Sequence, residues 1–553
     1  MMRLISAAMA GALAALLMLA VQLVWRLTGG AEGTVPSLPE VIVAAVARLT
    51  PLSVFGAATE NFGSLAKKTL FVSVLIGIVA VGALAGTWAA RIARRMRSGF
   101  GSHVAAGLLV ALGLFLFTML VVAPVAHLGT FGSDSRHATQ LQLQLSITFV
   151  LFGLAWAWFA PMRQPVAAGG LSEGLPISRR AVVGGGARAT LALIGVSVVG
   201  ASARRLFEPA TASGDPATSR EAARKIAEAA RQRPASLDAT PSLVANPAAL
   251  FAQLDASGDL SPVITSNADF YHVSKNISDP RVSADGWSLR VTGLVDQELT
   301  YTLDDLLARA TTRKITTLCC ISNQLNGDLI GTAEWQGFPL RSLLNEAGVK
   351  QEAVDIKLSA ADDYADSIPV GRGMDPDTII VVGMNGEPLP ADHGFPARLI
   401  VPGIYGMKNL KWLREIELVD EDFQGYWQTR GWSDEARVNI WARIDNPGPG
   451  EALDPGPATI AGVAAAGDRG IFQVDVSLDD GETWGIATLE EAINPPLTWA
   501  RWVLPFDAEP DAELNIRVRV TDGEGVTASK DRNPPLPDGA TGWPSRRVRV
   551  ESV

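Results

Sequence analysis

The stretch Ile315-Thr316-Thr317-Leu318-Cys319-Cys320-Ile321-Ser322-Asn323 holds both cysteines of the 553-residue chain at the end of an apolar run. Consecutive Cα atoms lie about 3.8 Å apart, below the roughly 4.4 Å minimum of ordinary disulfides, so a bridge between the two would be strained. No third cysteine exists to pair with either. If the run is a strand, neighbouring side chains point to opposite faces, so one sulfur enters the core while the other faces a cavity. A cavity-facing thiolate is a soft ligand for a metal or an electrophile. Taken alone, the pair also fits two small buried apolar residues, and the surrounding sequence has to decide.

Downstream stand Trp335-Gln-Gly-Phe-Pro-Leu340, then Met384-Asn-Gly-Glu-Pro-Leu-Pro-Ala-Asp-His393-Gly-Phe-Pro-Ala-Arg398, Val401-Pro-Gly-Ile-Tyr-Gly406 and Lys408-Asn-Leu-Lys411-Trp412. With Thr317-Leu-Cys-Cys-Ile-Ser-Asn323 they resemble the sulfite-oxidase family of molybdopterin enzymes, in that family's order, from about Phe270 to the C-terminus. The resemblance implies a molybdenum–molybdopterin cofactor, with Cys320 as the thiolate ligand to the metal and Cys319 in a variable position. It implies cofactor binding by His393, Arg398 and the string Asn409-Leu410-Lys411, with Lys408 an additional candidate. Phe270-Tyr271-His-Val-Ser-Lys275-Asn276 matches the family's N-terminal cofactor segment, adding Tyr271, Lys275 and Asn276, and Asp362 matches a polar contact. A cofactor phosphate calls for positive charge and amide donors, which these residues supply.

The departures bear on the substrate. Leu325 stands where sulfite oxidases carry an arginine, and Lys275 replaces another, without the bidentate fork that suits an oxyanion. Trp432 stands at the position of the family's active-site tyrosine. Tyr426 and Arg430 are the nearby polar substitutes, so Cys320, Lys275, Tyr426 and Arg430 form the expected catalytic set. Oxo transfer to or from a small molecule other than sulfite is the expectation, with a sulfoxide or N-oxide reductase as the alternative within the enzyme class. A non-catalytic scaffold of the same fold would not require Cys320. Should sulfite prove to be the substrate, Lys275, Arg430 and Arg290 would be its grip.

Charge divides the chain. Residues 1–207 carry 16 Lys+Arg and 5 Asp+Glu, a net of +11, leaving 31 of the 47 basic and 52 of the 57 acidic residues, a net of −21, to the remainder. This pattern argues against nucleic-acid binding, which needs a basic face. Hydrophobic residues make up 48% of the chain and mean hydropathy is +0.20, which points to a membrane portion. Five stretches are long enough to span roughly 30 Å of hydrocarbon: 4–25, 70–90, 104–125, 143–161 and the Gly/Ala-rich 181–203. Arg91, Arg94, Arg95 and Arg97, then Arg163, Arg179 and Arg180, place two loops in the cytoplasm, and everything after the fifth span outside. Lys67 and Lys68 run against this scheme. Ser178-Arg179-Arg180 also looks like a twin-arginine export signal. His103, His127 and His137 show no pair at matching depth for haem, so an anchor in membrane lipid, or a docking surface for a membrane partner, is the expected role.

The expected organisation is therefore an N-terminal α-helical membrane bundle (1–207), a linker (208–267) with a solvated helix at 219–232, an α+β sulfite-oxidase-like molybdopterin domain (268–447), and a C-terminal all-β immunoglobulin-like sandwich (448–553). Strands are expected at 287–293, 355–359, 460–465, 471–477, 499–504 and 514–521, helices at 303–310 and 340–347, and a hairpin at Asp479-Asp-Gly-Glu-Thr-Trp484. The last resembles the family's C-terminal domain, which implies a homodimer. A cytochrome or quinone-linked electron partner completes the expectation.

Overall fold

A computed structural model of the chain describes residues 2–28, 35–50, 64–96, 100–126, 128–133, 138–160, 197–199, 201, 247–276, 279–491 and 495–552, which fall into a helical unit and a β-rich unit.

The helical unit contains α1 (Met2–Thr28), α2 (Leu38–Leu49), α3 (Ser64–Arg95), α4 (Phe100–Phe117) and α5 (Ala138–Phe159). Segments Ile5–Trp25, Lys68–Arg95, Phe100–Val125 and Ala138–Phe159 are long and apolar enough to cross a membrane. They correspond to the first four expected spans. The fifth lies almost wholly outside the described residues, as do the arginine pair at 179–180, His127 and His137. Apolar side chains give no net drive for association between helices in lipid, so close backbone approach has to do the packing. Gly11 of α1 meets Gly82 and Gly86 of α3, and Gly107 of α4 meets Gly153 of α5, each too close for a Cβ. A buried polar cluster around Gln22 ties α1 to α2 and α5. The Gln22 Oε1 accepts from the Leu38 amide at 3.0 Å and from Gln144 at 3.3 Å, and Gln22 also bonds Thr148. His103 stacks on Trp156, ring centres 5.9 Å apart.

The β-rich unit begins with two five-stranded sheets. The first holds β1 (Ser288–Gly293), β2 (Leu299–Thr302), β5 (Asp355–Ala360), β6 (Ala365–Pro369) and β10 (Leu413–Val419) in the order β2-β1-β10-β5-β6. The second runs β3 (Thr312–Cys319), β4 (Ile330–Pro339), β7 (Ile379–Met384) and β8 (Glu387–Pro388), with β9 (Arg398–Ile400) pairing β7. Between β4 and β5, helix Leu340–Ala347 buries Leu340, Leu343, Leu344 and Ala347, the spacing of one helical face. It stops at Gly348, whose φ of 71° suits a glycine C-cap. Helix Leu303–Arg309 starts at a capping box in which the Thr302 hydroxyl and Asp305 carboxylate answer each other's backbone amides.

The C-terminal part stacks a sheet of order β11-β13-β17-β16 on one of order β12-β19-β18-β14-β15. These strands are β11 (Trp441–Asn446), β12 (Ala452–Leu453), β13 (Gly456–Ala465), β14 (Ile471–Ser477), β15 (Gly485–Ile486), β16 (Thr488–Leu489), β17 (Ala500–Ala508), β18 (Glu513–Asp522) and β19 (Ser545–Val550). Ala442, Ile444, Ile460 and Trp502 of the first pack against Val474, Val476, Ile516 and Val518 of the second. The expected hairpin joins β14 to β15, with Asp480 and Gly481 both at positive φ.

Two expected boundaries move. β11 pairs with β13, so the sandwich takes in Trp441–Asn446 and begins ahead of 448. The alternation of Ala442 and Ile444 inward binds it there, and the Pro/Gly-rich stretch that follows is a loop within the sandwich. The linker, expected to reach 267, is docked from residue 247 onward. Helix Pro247–Ser257 lays Phe251 and Leu254 on Ala461 and Val503. Arg501 holds it by pairing with Asp255 and, at 2.6 Å, with Glu490. The expected helix at 219–232 lies outside the described residues.

Candidate functional site

Strand β3 delivers the cysteine pair to the edge of its sheet, and a short loop closes behind it. The Cys320 amide donates to Leu329 O at 2.9 Å, and the Asn323 amide to Cys320 O at 3.0 Å. The Asn323 side chain accepts from the Leu329 amide at 3.0 Å and reaches the Cys319 sulfur at 3.6 Å. The two thiols have different surroundings. Cys319 is packed with Ile321, Tyr405, Val438 and Trp441, and burial pushes its thiol far up. The Cys320 sulfur lies 3.0 Å from the Ser322 hydroxyl, next to Tyr271.

Tyr271 stacks on Phe270 at 5.3 Å. Its hydroxyl is buried with no hydrogen-bond partner and lies against Gly406, where a Cβ would collide with it. Burial pushes its pKa well above 10, and the nearby Cys320 adds to the shift. Arg398, on β9, is also buried, its guanidinium 5.3 Å over the Trp335 ring. It donates to His393 O at 3.3 Å, while its Nε has no partner. Burial lowers its pKa to about 10. His393 is buried against Phe270, with Nε2 2.9 Å from Asn267 O, and burial lowers its pKa to about 4. Gly394, at φ 118°, lets this turn approach Lys411 and Arg398 within about 3 Å of where a Cβ would sit.

Lys411 donates to Ser274 Oγ at 2.8 Å and Asp392 O at 3.0 Å, and lies over the Trp412 ring. Burial brings it down to about 8, against the opposing pull of Asp279. Burial raises the Asp362 carboxyl, and Lys275 and then Lys411 oppose that. Lys275 lies 5.4 Å from the Tyr426 ring centre, which Arg430 covers at 3.6 Å.

Cys320, Tyr271, Arg398, His393, Lys411, Asp362 and Lys275 thus form one linked cluster, extended by Tyr426 and Arg430. Other expected residues are occupied elsewhere. The Lys408 ammonium is buried in contact with Ser367 O, Asp434 and Asp366, at 2.8, 2.9 and 3.2 Å. Asn409 spends its amide on Val401 N, Ile404 O and Tyr405 O of its own loop. Leu410 points into the main core, and its carbonyl accepts from the Leu399 amide. Arg290 pairs with Glu415 across β1 and β10 and is largely exposed. Leu325 lies against Gly542, and Trp432 packs on Trp427. Asn276 stands in an irregular stretch directly before the undescribed residues 277–278. Ser274, Asp279 and Gly406 were not singled out in the sequence. Ser274 could have been, because it lies inside the matched N-terminal string.

These residues fit molybdopterin. Desolvated cations, orphaned donors at Tyr271 and Arg398, and a thiol at one end are what an anionic, thiolate-ligated group requires. Residues 276–427 match the oxidoreductase molybdopterin binding domain, and 435–531 the Mo-co oxidoreductase dimerisation domain. Sulfite oxidase of Gallus gallus is 31% identical over 302 residues, covering 46% of this chain and 66% of that protein. A nitrate reductase [NADH] of Solanum lycopersicum is 28% identical over 306 residues, covering 44% of this chain and 34% of the other. The sulfane dehydrogenase SoxCD structure from Paracoccus pantotrophus aligns with a TM-score of 0.44 at 25% identity, covering 59% of this chain and 98% of that one. Through its β-rich unit the chain belongs to the sulfite-oxidase family of molybdenum-dependent oxidoreductases. It spans less than two-thirds of the length of the curated relatives it matches.

Proposed function

We propose that the chain is a membrane-anchored oxidoreductase performing oxo transfer at the outer face of a membrane, on a substrate other than sulfite. When bound, the cofactor supplies a molybdenum centre that cycles by oxo transfer and two one-electron steps. Cys320 gives it the protein thiolate. Arg398 and Lys411 would supply the positive charge its phosphate needs, and Tyr271, His393 and Asp362 would help hold it. Because their pKa values are lowered by burial, both cations gain when an anion arrives. Asn276, Asn409 and Leu410 belong to the cofactor-binding strings through the family resemblance, with the Asn409 side chain bracing its own loop.

The observation carrying this reading is the pair of orphaned buried donors, Tyr271 Oη and Arg398 Nε, beside a buried thiol. On the substrate side Lys275 and Arg430 are both stacked on Tyr426, while Leu325 and Trp432 are apolar. That supports a neutral or apolar oxo donor or acceptor over a dianion. A sulfoxide or N-oxide reductase fed by a cytochrome or quinone-linked carrier is the alternative, favoured by the four helices able to cross a membrane. An immunoglobulin-like sandwich from about residue 435 pairs two copies. Metal analysis of the purified chain beside an activity screen over sulfite, sulfoxides and nitrate tests the proposal. Absence of molybdenum overturns it, and efficient sulfite oxidation overturns its substrate.

A further inference from the structure

Strand β11 lies at the edge of its sheet, an arrangement that leaves backbone groups in need of partners. The loop behind Cys320 partners one such backbone group and two side chains of the strand. The Ile444 amide donates to the Asn326 side chain at 3.1 Å. The Trp441 indole N–H donates to Gln324 O at 2.9 Å, and Arg443 to Gly327 O at 3.1 Å. Asn326, held at φ 60°, also donates to Ser545 O at 3.1 Å in β19. Three of the four residues from Trp441 to Ile444 thus grip residues 324, 326 and 327. Arg443 is itself fixed by Asp445 at 2.6 Å. Within itself the thiol loop is tied through Asn323 and Leu329, by the Gly327 amide donating to Gln324 O at 3.0 Å, and by the Cys320–Ser322 contact.

We propose that β11, through Trp441, Arg443 and Ile444, is a positioning element for Cys320. The C-terminal sandwich then has a role besides pairing copies, because it sets the direction in which the thiol points. Trp441 and Asn326 are positioning residues that never touch the reacting atoms. The inference rests on the reading of Cys320 as metal ligand, but its test does not require the metal.

The full chain is produced without cofactor in a Cys319→Ser background, so that Cys320 is its sole thiol, and alkylation by iodoacetamide is followed by mass spectrometry. Trp441→Phe keeps an apolar ring and deletes the donor, while Asn326→Gly keeps the backbone conformation and deletes both side-chain bonds. Trp441→Phe should speed alkylation of Cys320 about fivefold, the effect of one ordinary hydrogen bond on loop closure, and Asn326→Gly, which deletes two, by at least as much. Trp502→Phe removes volume from the sandwich core without touching the loop, and should leave the rate unchanged. An unchanged rate in Asn326→Gly, or an equal rise in Trp502→Phe, overturns the proposal. If Trp441→Phe does not fold, Asn326→Gly decides alone. Failure of Cys320 as the metal ligand would appear separately, as retained molybdenum chemistry in Cys320→Ser holoprotein.

Discussion

At the residue scale the two cysteines separate by environment. Cys319 is enclosed by the Tyr405–Trp441 cluster, and Cys320 stands beside Tyr271. Cys320→Ser should therefore abolish turnover, while Cys319→Ser keeps molybdenum content and turnover, both measured on purified protein. Equal loss in the two variants would place the ligand register wrongly. His393 allows a second prediction. Its pKa is about 4 in the fold and 6.5 ordinarily. Above pH 6.5 neither state binds the proton, so its contribution is fully present. As pH falls toward 4 the unfolded chain takes up a proton that the native site refuses, and stability is lost at about 1.4 kcal/mol per unit, about 3 in all. His393→Gln should flatten that part of the stability–pH curve, as followed by denaturant unfolding between pH 7 and 4.

At the element scale, one buried charge joins three segments of the site. Lys408, in the 403–411 loop, meets Asp366 on β6 and Asp434 in the segment after Arg430. Tyr364 caps the same carboxylate at 2.6 Å. Removing one partner of a buried ion pair leaves the other uncompensated, so Lys408→Met should cost about 3–5 kcal/mol. The double variant Lys408→Met/Asp366→Asn should recover much of that loss in denaturant unfolding. Equal stability of the single variant and the parent would show that solvent compensates Asp366. The pair was not legible in the sequence, where Lys408 reads as a cofactor cation because its partners lie 42 and 26 positions away. Local patterns were legible. Leu340–Ala347 has helical spacing and a glycine stop, and the strands expected at 471–477, 499–504 and 514–521 appear as β14, β17 and β18. β11 was assigned to the wrong domain because a Pro/Gly-rich loop resembles a boundary and only pairing with β13 shows otherwise. Likewise, Asn409 matches a binding string while its side chain is consumed by its own loop.

At the scale of the whole molecule, sidedness depends on a count of crossings. Arg91, Arg94 and Arg95 close α3, and cations flanking a span favour the cytoplasm. On the proposed orientation the α3–α4 connection lies inside, as does the N-terminus two crossings earlier. If all four helices able to cross do so, the chain returns to the inside near residue 160. The stretch 181–203 must therefore cross, or be exported behind its arginine pair, for the β-rich unit to lie outside. Its glycine and alanine content makes insertion weakly favourable, whereas export of a folded domain suits a cofactor installed before crossing. A reporter fused after Val553 should be active only outside the cytoplasm, and one fused near Arg97 only inside. Replacing both Arg179 and Arg180 by Lys should hold the C-terminal reporter inside if the pair is read as an export signal, and leave it outside if the arginines serve only as cationic anchors. A parent chain whose C-terminal reporter is active only in the cytoplasm would leave the four helices as the entire anchor and move the proposed chemistry to the inner face.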